Sequence, residues 1–183
     1  KAPDDEERDM FKIPDILNTL IDSNRLGQKT GAGFYKKNGD RSIHSINLKT
    51  GKYGPMGPVR FDCFRIAKDR QRLAEKVKAL CSGDDKGSKY FWELTARTLI
   101  YSANRIPEIS DDIVNIDNAM KWGFAWDAGP FEGWDALGVR KTTERMKAEG
   151  KTVPDWVLEM LESGRETFYS MENGEKDYWC PNS

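Results

Sequence analysis

The stretch Arg25-Leu26-Gly27-Gln28-Lys29-Thr30-Gly31-Ala32-Gly33-Phe34-Tyr35 limits the fold more than any other. Before it, Ile16, Leu17, Leu20 and Ile21 recur at helical spacing, with Pro14 suited to the first turn. After it, His44, Ile46 and Leu48 alternate with Ser45 and Asn47, which is strand spacing. The glycines therefore close a helix and open a strand. A phosphate-binding loop needs the opposite order, with its lysine directly after a glycine and ahead of a helix. Here Lys29 follows Gln28, and Gly31-Ala32-Gly33 runs into Phe34, Tyr35 and Lys36 without a third glycine. Neither nucleotide fingerprint fits. What remains is a helix C-terminus and a backbone turn, with glycines at positive φ and Phe34 and Tyr35 plugging a core.

Residues 1–9 are acidic and polar and read as a frayed end. Asn38-Gly39 reads as a type I′ turn and Thr50-Gly51 as a second turn, which predicts a hairpin or three-strand meander. Gly54-Pro55-Met56-Gly57-Pro58 reads as a linker. Beyond it the chain is helical for most of its length. Leu73, Val77 and Leu80 mark one helix face. Ser88 is the expected N-cap of the next helix, which holds Tyr90, Phe91, Trp92, Leu94, Leu99 and Ile100. Being apolar on nearly all sides, it is expected to be the central buried helix. Ser110 or Asp111 caps a short helix with Ile113, Ile116, Ala119 and Met120 inward, ending at Gly123. Residues 131–137 form a helical turn closed by Gly138, and residues 139–149 an exposed helix ended by Gly150. Residues 154–163 turn Val157, Met160 and Leu161 inward before Gly164. Asn173-Gly174 marks a second hairpin within residues 167–179. The predicted fold is mainly α with two small β-hairpins. It lacks the strand–helix–strand alternation of a dinucleotide-binding Rossmann unit.

Apolar residues are 38% and charged residues 32% of the 183, which suits helices with one wet face. Lysine plus arginine (29) balances aspartate plus glutamate (30), so net charge argues for neither nucleic acid nor an anionic membrane as partner. No apolar run has the length of a membrane span, and there is no signal peptide. The chain starts without methionine and reads as a piece of a longer, cytoplasmic protein. Cys63, Cys81 and Cys180 are odd in number and far apart, as expected of reduced thiols. His44 is the only histidine, has no carboxylate beside it in sequence, and reads as structural. Glu172, Glu175 and Asp177 flank a turn and read as solvated. The six tryptophans read as core or interface residues. No catalytic set, metal site or cofactor site is complete in this chain.

Two segments carry a family resemblance. Gly27, Lys29, Thr30, Gly31, Gly33, Phe34 and Tyr35 resemble the G-x-K-T-G-x-G-F-Y signature that closes a C-terminal domain of the 3-hydroxyacyl-CoA dehydrogenases. Asp117, Ala119, Met120, Gly123, Gly129-Pro130-Phe131-Glu132, Asp135 and Gly138 resemble the D-x-A-M…G…GPFE…D…G pattern of the same domain. The resemblance implies a helical bundle of the 6-phosphogluconate dehydrogenase C-terminal type. Residues 1–56 would end a first copy with its hairpin, and residues 57–183 would be a second, degenerate copy with a C-terminal hairpin. Such tandem copies occur in multifunctional β-oxidation proteins in which the dehydrogenase is fused to enoyl-CoA hydratase. NAD and the catalytic His–Glu pair would then belong to an N-terminal Rossmann domain outside this chain, and neither His44 nor Asn104 matches a catalytic position. This segment would shape the acyl-CoA pocket and the domain interface through Gly129, Pro130, Phe131, Trp122 and Trp126, the tryptophans narrowing or filling an acyl tunnel. It would be inactive alone. The competing expectation is a non-catalytic helical dimerisation or interaction module. A 6-phosphogluconate-type dehydrogenase is a third reading, against which the GPFE segment argues.

Overall fold

The computed structural model describes residues 5–172, 174–179 and 181. Residues 1–4 of the expected frayed end, Asn173 of the second hairpin signal and Cys180 lie outside the described residues. The chain forms two compact units, Lys1–Val59 and Arg60–Ser183.

In the first unit a 3-10 turn over Arg8–Phe11 leads to α1, Asp15–Asp22. Pro14 precedes α1 in extended conformation, where its missing N–H costs no helical hydrogen bond. Ser23 and Asn24 end the helix, Ser23 Oγ donating to the Thr19 carbonyl (2.6 Å) and Asn24 reversing the chain at φ 52°. Three antiparallel strands follow in the order β1 (Tyr35–Lys37), β2 (Ile43–Ile46) and β3 (Tyr53–Pro55). The register sets Tyr35 opposite Ser45 and Ser45 opposite Gly54. The meander is as predicted, but its first turn is not type I′. Arg41, rather than Asn38 or Gly39, takes positive φ (67°). The Asp40 carboxylate accepts from Ser42 N (2.9 Å) and Ser42 Oγ (2.6 Å), so side-chain bonds build a longer loop. In the second turn Gly51 has φ 68° and the Asn47 side chain accepts from Lys49 N and Thr50 N. Leu48 sits in that turn and is exposed, so the strand is shorter than its alternation implied. Gly54 and Pro55 belong to β3 rather than to the linker, because an edge strand tolerates a residue without an N–H.

The second unit contains α2 (Asp62–Lys68), α3 (Leu73–Ser82), α4 (Lys86–Asn104), α5 (Ile113–Phe124), α6 (Pro130–Leu137), α7 (Val139–Ala148) and α8 (Asp155–Glu162). The hairpin β4 (Tyr169–Glu172) and β5 (Glu175–Tyr178) follows, with Ser170 opposite Asp177. Two helix starts differ from expectation. In each an aspartate other than the expected residue supplies a charged cap, Asp85 in place of Ser88 and Asp112 in place of Ser110 or Asp111. Asp85 accepts from Ser88 N (2.8 Å) and leaves Ser88 inside α4. Asp112 accepts from Asn115 N (2.8 Å) at the start of α5. That helix runs past Gly123 and is ended by Ala125 at φ 55°.

The longest helix, α4, is one-sided rather than apolar all round. Trp92, Ala96, Leu99 and Ala103 are buried along one stripe, while Tyr90 and Leu94 are exposed. The surface assigned to α7 is also two-faced, with Val139, Thr142, Thr143 and Met146 buried. The core gathers Phe131, Trp134, Val157, Met160 and Phe168, with ring centroids 5.1 Å apart for Phe131–Phe168 and 5.3 Å for Trp134–Phe168. Asp177 is paired rather than merely solvated, its carboxylate lying 2.8 Å from the Arg165 guanidinium. No helix among the described residues is long and apolar enough to cross a membrane.

Candidate functional site

The glycine loop is a backbone clasp. Gly27 (φ 121°) and Gly31 (φ 82°) adopt conformations open to glycine, and Gly27 N donates to the Ala32 carbonyl (2.8 Å). Thr30 Oγ1 accepts from Leu26 N (2.8 Å) and reaches the carbonyls of Gly27 and Ala32 (both 3.2 Å), binding both ends of the turn. Gly33 is buried, and a Cβ there would come within 2.9 Å of Gly27 Cα. Lys29 is exposed. Phe34 and Tyr35 were expected to plug a core, but they stand 44% and 62% exposed. The buried apolar side chains of this unit are Leu20 and Ile46; the half-buried Tyr53 ties to the turn, its hydroxyl donating to the Gly33 carbonyl (2.5 Å) and its ring facing Arg25 at 5.6 Å.

The second signature is a carboxylate lock built around Asp117. Pro130 opens α6, leaving Phe131 and Glu132 N–H without helical partners. The N-cap is Gly129, which has no side chain to accept from them. Asp117 reaches in from α5 instead, its Oδ1 accepting from Phe131 N (2.8 Å) and its Oδ2 from Glu132 N (3.0 Å) and Tyr169 Oη (2.9 Å). Gly129 is required by contact rather than by φ, because a Cβ would fall 2.3 Å from Asp117 Cγ and 2.4 Å from its Cα. Glu132 turns back to accept from Gly129 N (3.0 Å) and pairs with Lys121 (2.9 Å), completing the cap.

One turn further along α6, Asp135 accepts from Phe168 N (2.7 Å) and Tyr169 N (2.9 Å), so the same helix holds the start of the C-terminal hairpin. Burial pushes the Asp135 carboxyl up to about 6 despite these hydrogen bonds. Burial also raises Asp117, against the opposing bonds from Phe131, Tyr169 and Glu132. Trp134 Nε1 donates to Thr142 Oγ1 (2.8 Å), which joins α6 to α7. Each acid of the motif thus anchors backbone. Tyr169 had no sequence signal, since it lies in a strand read only for its turn and meets Asp117 through tertiary packing.

Of the residues expected near a pocket, Gly129, Pro130 and Trp126 line a groove of about 530 Å³ bounded by α3, α4 and α6. Phe131 is fully buried in the core, and Trp122 is 81% exposed and not among the groove residues. His44 lies in β2 between Lys36 and Pro55, and no carboxylate bonds to it among the described residues. Cys63 and Cys81 are buried free thiols. Among the described residues no group of three His, Cys, Asp or Glu could hold a metal.

Helices joined by buried carboxylates and two small antiparallel sheets define a mainly helical segment. Its sequence relatives say of which proteins. The chain is 41% identical over 176 residues, 96% of its length, to a Bacillus subtilis protein named "Probable 3-hydroxyacyl-CoA dehydrogenase", and spans 22% of that relative. It is 26% identical over 73% of its length to a Rickettsia prowazekii protein bearing the name of a fatty acid oxidation complex trifunctional enzyme, and spans 18% of it. It is also 32% identical over 44% of its length to the fatty acid oxidation complex subunit alpha of Aliivibrio fischeri, spanning 13% of that chain. The chain is a homologue of a segment of the 3-hydroxyacyl-CoA dehydrogenases. No family model matches it, and no solved structure matches it.

Proposed function

We propose that the chain is the helical pocket and domain-interface segment of an NAD-dependent L-3-hydroxyacyl-CoA dehydrogenase of fatty-acid β-oxidation. The whole enzyme would work in the cytoplasm, oxidise 3-hydroxyacyl-CoA to 3-ketoacyl-CoA, and carry an enoyl-CoA hydratase in the same polypeptide. The described residues offer no strand-to-helix glycine turn for a dinucleotide, so NAD does not fit this segment and belongs with a Rossmann domain elsewhere. The roles left to this segment are to hold α6, to present the groove residues Gly129, Pro130 and Trp126, and to meet the other domains. The tandem division near residue 57 is part of the same reading.

The observation that carries the interface role is the exposure of large apolar side chains in and beside the family signatures. Leu26 (62%) and Tyr35 (62%) of the first unit stand in solvent, as do Trp122 (81%) and Phe124 (71%) of the second. Large aromatic and aliphatic groups left in solvent, as each unit has here, mark surfaces that pack against something. The test is a transplant. This chain replaces the homologous segment of the Bacillus subtilis relative, and NAD reduction with a 3-hydroxyacyl-CoA is measured. The isolated chain is expected to be inactive and the folded chimera active. A folded chimera without activity, from a parent that has it, refutes the reading.

A further inference from the structure

The first unit, Lys1–Val59, is short of a core. Among its described residues the buried apolar side chains are Leu20 and Ile46, while Ile21, Leu26, Phe34, Tyr35 and Ile43 stand exposed. A unit of about 60 residues is marginal even with a filled core, and natural ones of that size lean on disulfides, metals or a partner. This unit contains no cysteine, and no metal-holding group occurs among the described residues. The remaining route to stability is apolar surface supplied from outside the unit.

The exposed groups are not scattered. All five line one groove of about 930 Å³, which runs from α1 through the glycine clasp to β1 and the start of β2. Its charged lining residues are Arg25 and Lys37, both cations. Asp22 is not among the lining residues, and Asp40 turns its carboxylate to Ser42 N and Ser42 Oγ (2.9 and 2.6 Å). An occupant that complements this lining is largely apolar and brings carboxylates. It must also stay in place, because a ligand that binds and leaves returns the unit to a state without a core. A segment of the same polypeptide is always present, and the chain spans only 22% of its Bacillus subtilis relative.

We infer that this groove is filled by an apolar, carboxylate-bearing segment from the part of the parent enzyme outside this chain. That segment completes the core of the first unit and pairs with Arg25 and Lys37. Resting on the reading of the chain as one segment of a longer dehydrogenase, it gives the interface role a place and a chemistry.

The test compares the isolated chain with the full-length chimera in which it replaces the homologous segment of the Bacillus subtilis relative. A carbodiimide, which joins an amine directly to a carboxylate in contact with it, is applied to the folded chimera, and the cross-links are read by mass spectrometry. Lys37 is expected to couple to an aspartate or glutamate outside this chain. Amide hydrogen exchange over residues 17–43 is expected to be at least about tenfold slower in the chimera than in the isolated chain, and Ile21→Asp in the chimera returns it towards the faster rate. Lys37 left uncoupled, or coupled only to carboxylates of this chain or of an isotope-labelled second copy, overturns the proposal. Equal exchange in the two proteins overturns it too, since the unit is then stable without an occupant. Slowing of exchange in the isolated chain on addition of a 3-hydroxyacyl-CoA gives the groove to a ligand and overturns it equally. NAD reduction is scored separately. An active chimera without the cross-link and the slowed exchange refutes the groove assignment alone, and an inactive folded chimera with both refutes the dehydrogenase reading alone.

Discussion

Replacing Asp117 separates an architectural carboxylate from a chemical one. Its side chain is completely buried and accepts from two backbone N–H groups and one hydroxyl, at 2.8, 3.0 and 2.9 Å. In Asp117→Asn the amide oxygen keeps Phe131 N, while the amide nitrogen faces Glu132 N, a second donor. The Tyr169 hydroxyl can turn to accept from that nitrogen. One buried donor is then orphaned, which costs about 1–3 kcal/mol. Relief of a buried charge offsets part of this, as the raised Asp117 pKa implies. Asp117→Ala orphans all three donors and opens a cavity, so its loss is larger, about 3–5 kcal/mol. Urea unfolding followed by tryptophan fluorescence orders the variants as wild type, then Asn, then Ala. An alanine variant within about 1 kcal/mol of wild type refutes the capping argument.

Three further outcomes follow from the same region. Gly129→Ala is expected to lose about 2 kcal/mol or more, because the new methyl group meets Asp117 Cα at 2.4 Å, and shortening residue 117 to alanine does not rescue it. Thr142→Val leaves the buried Trp134 indole N–H without its 2.8 Å acceptor and lowers stability by about 1–3 kcal/mol in the same urea assay. The third concerns pH. Asp135 binds a proton at about 6 when folded, against an ordinary value of 3.8, so between these values the folded state holds the extra proton. Stability therefore rises as pH falls from 7 towards 4, by at most about 3 kcal/mol from this group, and Asp135→Asn flattens the rise. Below that window Asp85 and Asp177, whose values are lowered by their hydrogen bonds, take stability away again.

Periodic and terminal signals in the sequence correspond closely to the structure. The helices around Leu17, Val77, Phe131 and Val157 and the meander after Tyr35 all form, because apolar spacing and glycine stops act locally. The errors cluster where a side chain from a neighbouring residue changes a local rule. Asp85 caps α4 in place of Ser88 and Asp112 caps α5 in place of Ser110 or Asp111, and Asp40 with Ser42 turned an Asn-Gly hairpin into a longer loop. Helix α2 went unmarked because its seven residues are too short to show a period. The lock was half legible. Asp117, the GPFE run and Asp135 stood out as a motif, but nothing local shows that Asp117 crosses to the start of α6 or that Tyr169 completes it. Phe34 and Tyr35 failed as core residues because a three-strand sheet with one helix has too little surface to cover both; Leu20 and Ile46 take the buried places and Tyr53 is half-buried against Gly33.

The most direct measurement is specific activity per folded molecule in the transplanted enzyme, with and without Asp117→Asn. If the family signature is scaffold, NAD reduction with 3-hydroxyacyl-CoA stays within about threefold once the unfolded fraction is removed, and its pH profile does not move. A fall of about a hundredfold or more in a fully folded variant would put Asp117 in the chemistry and contradict the account.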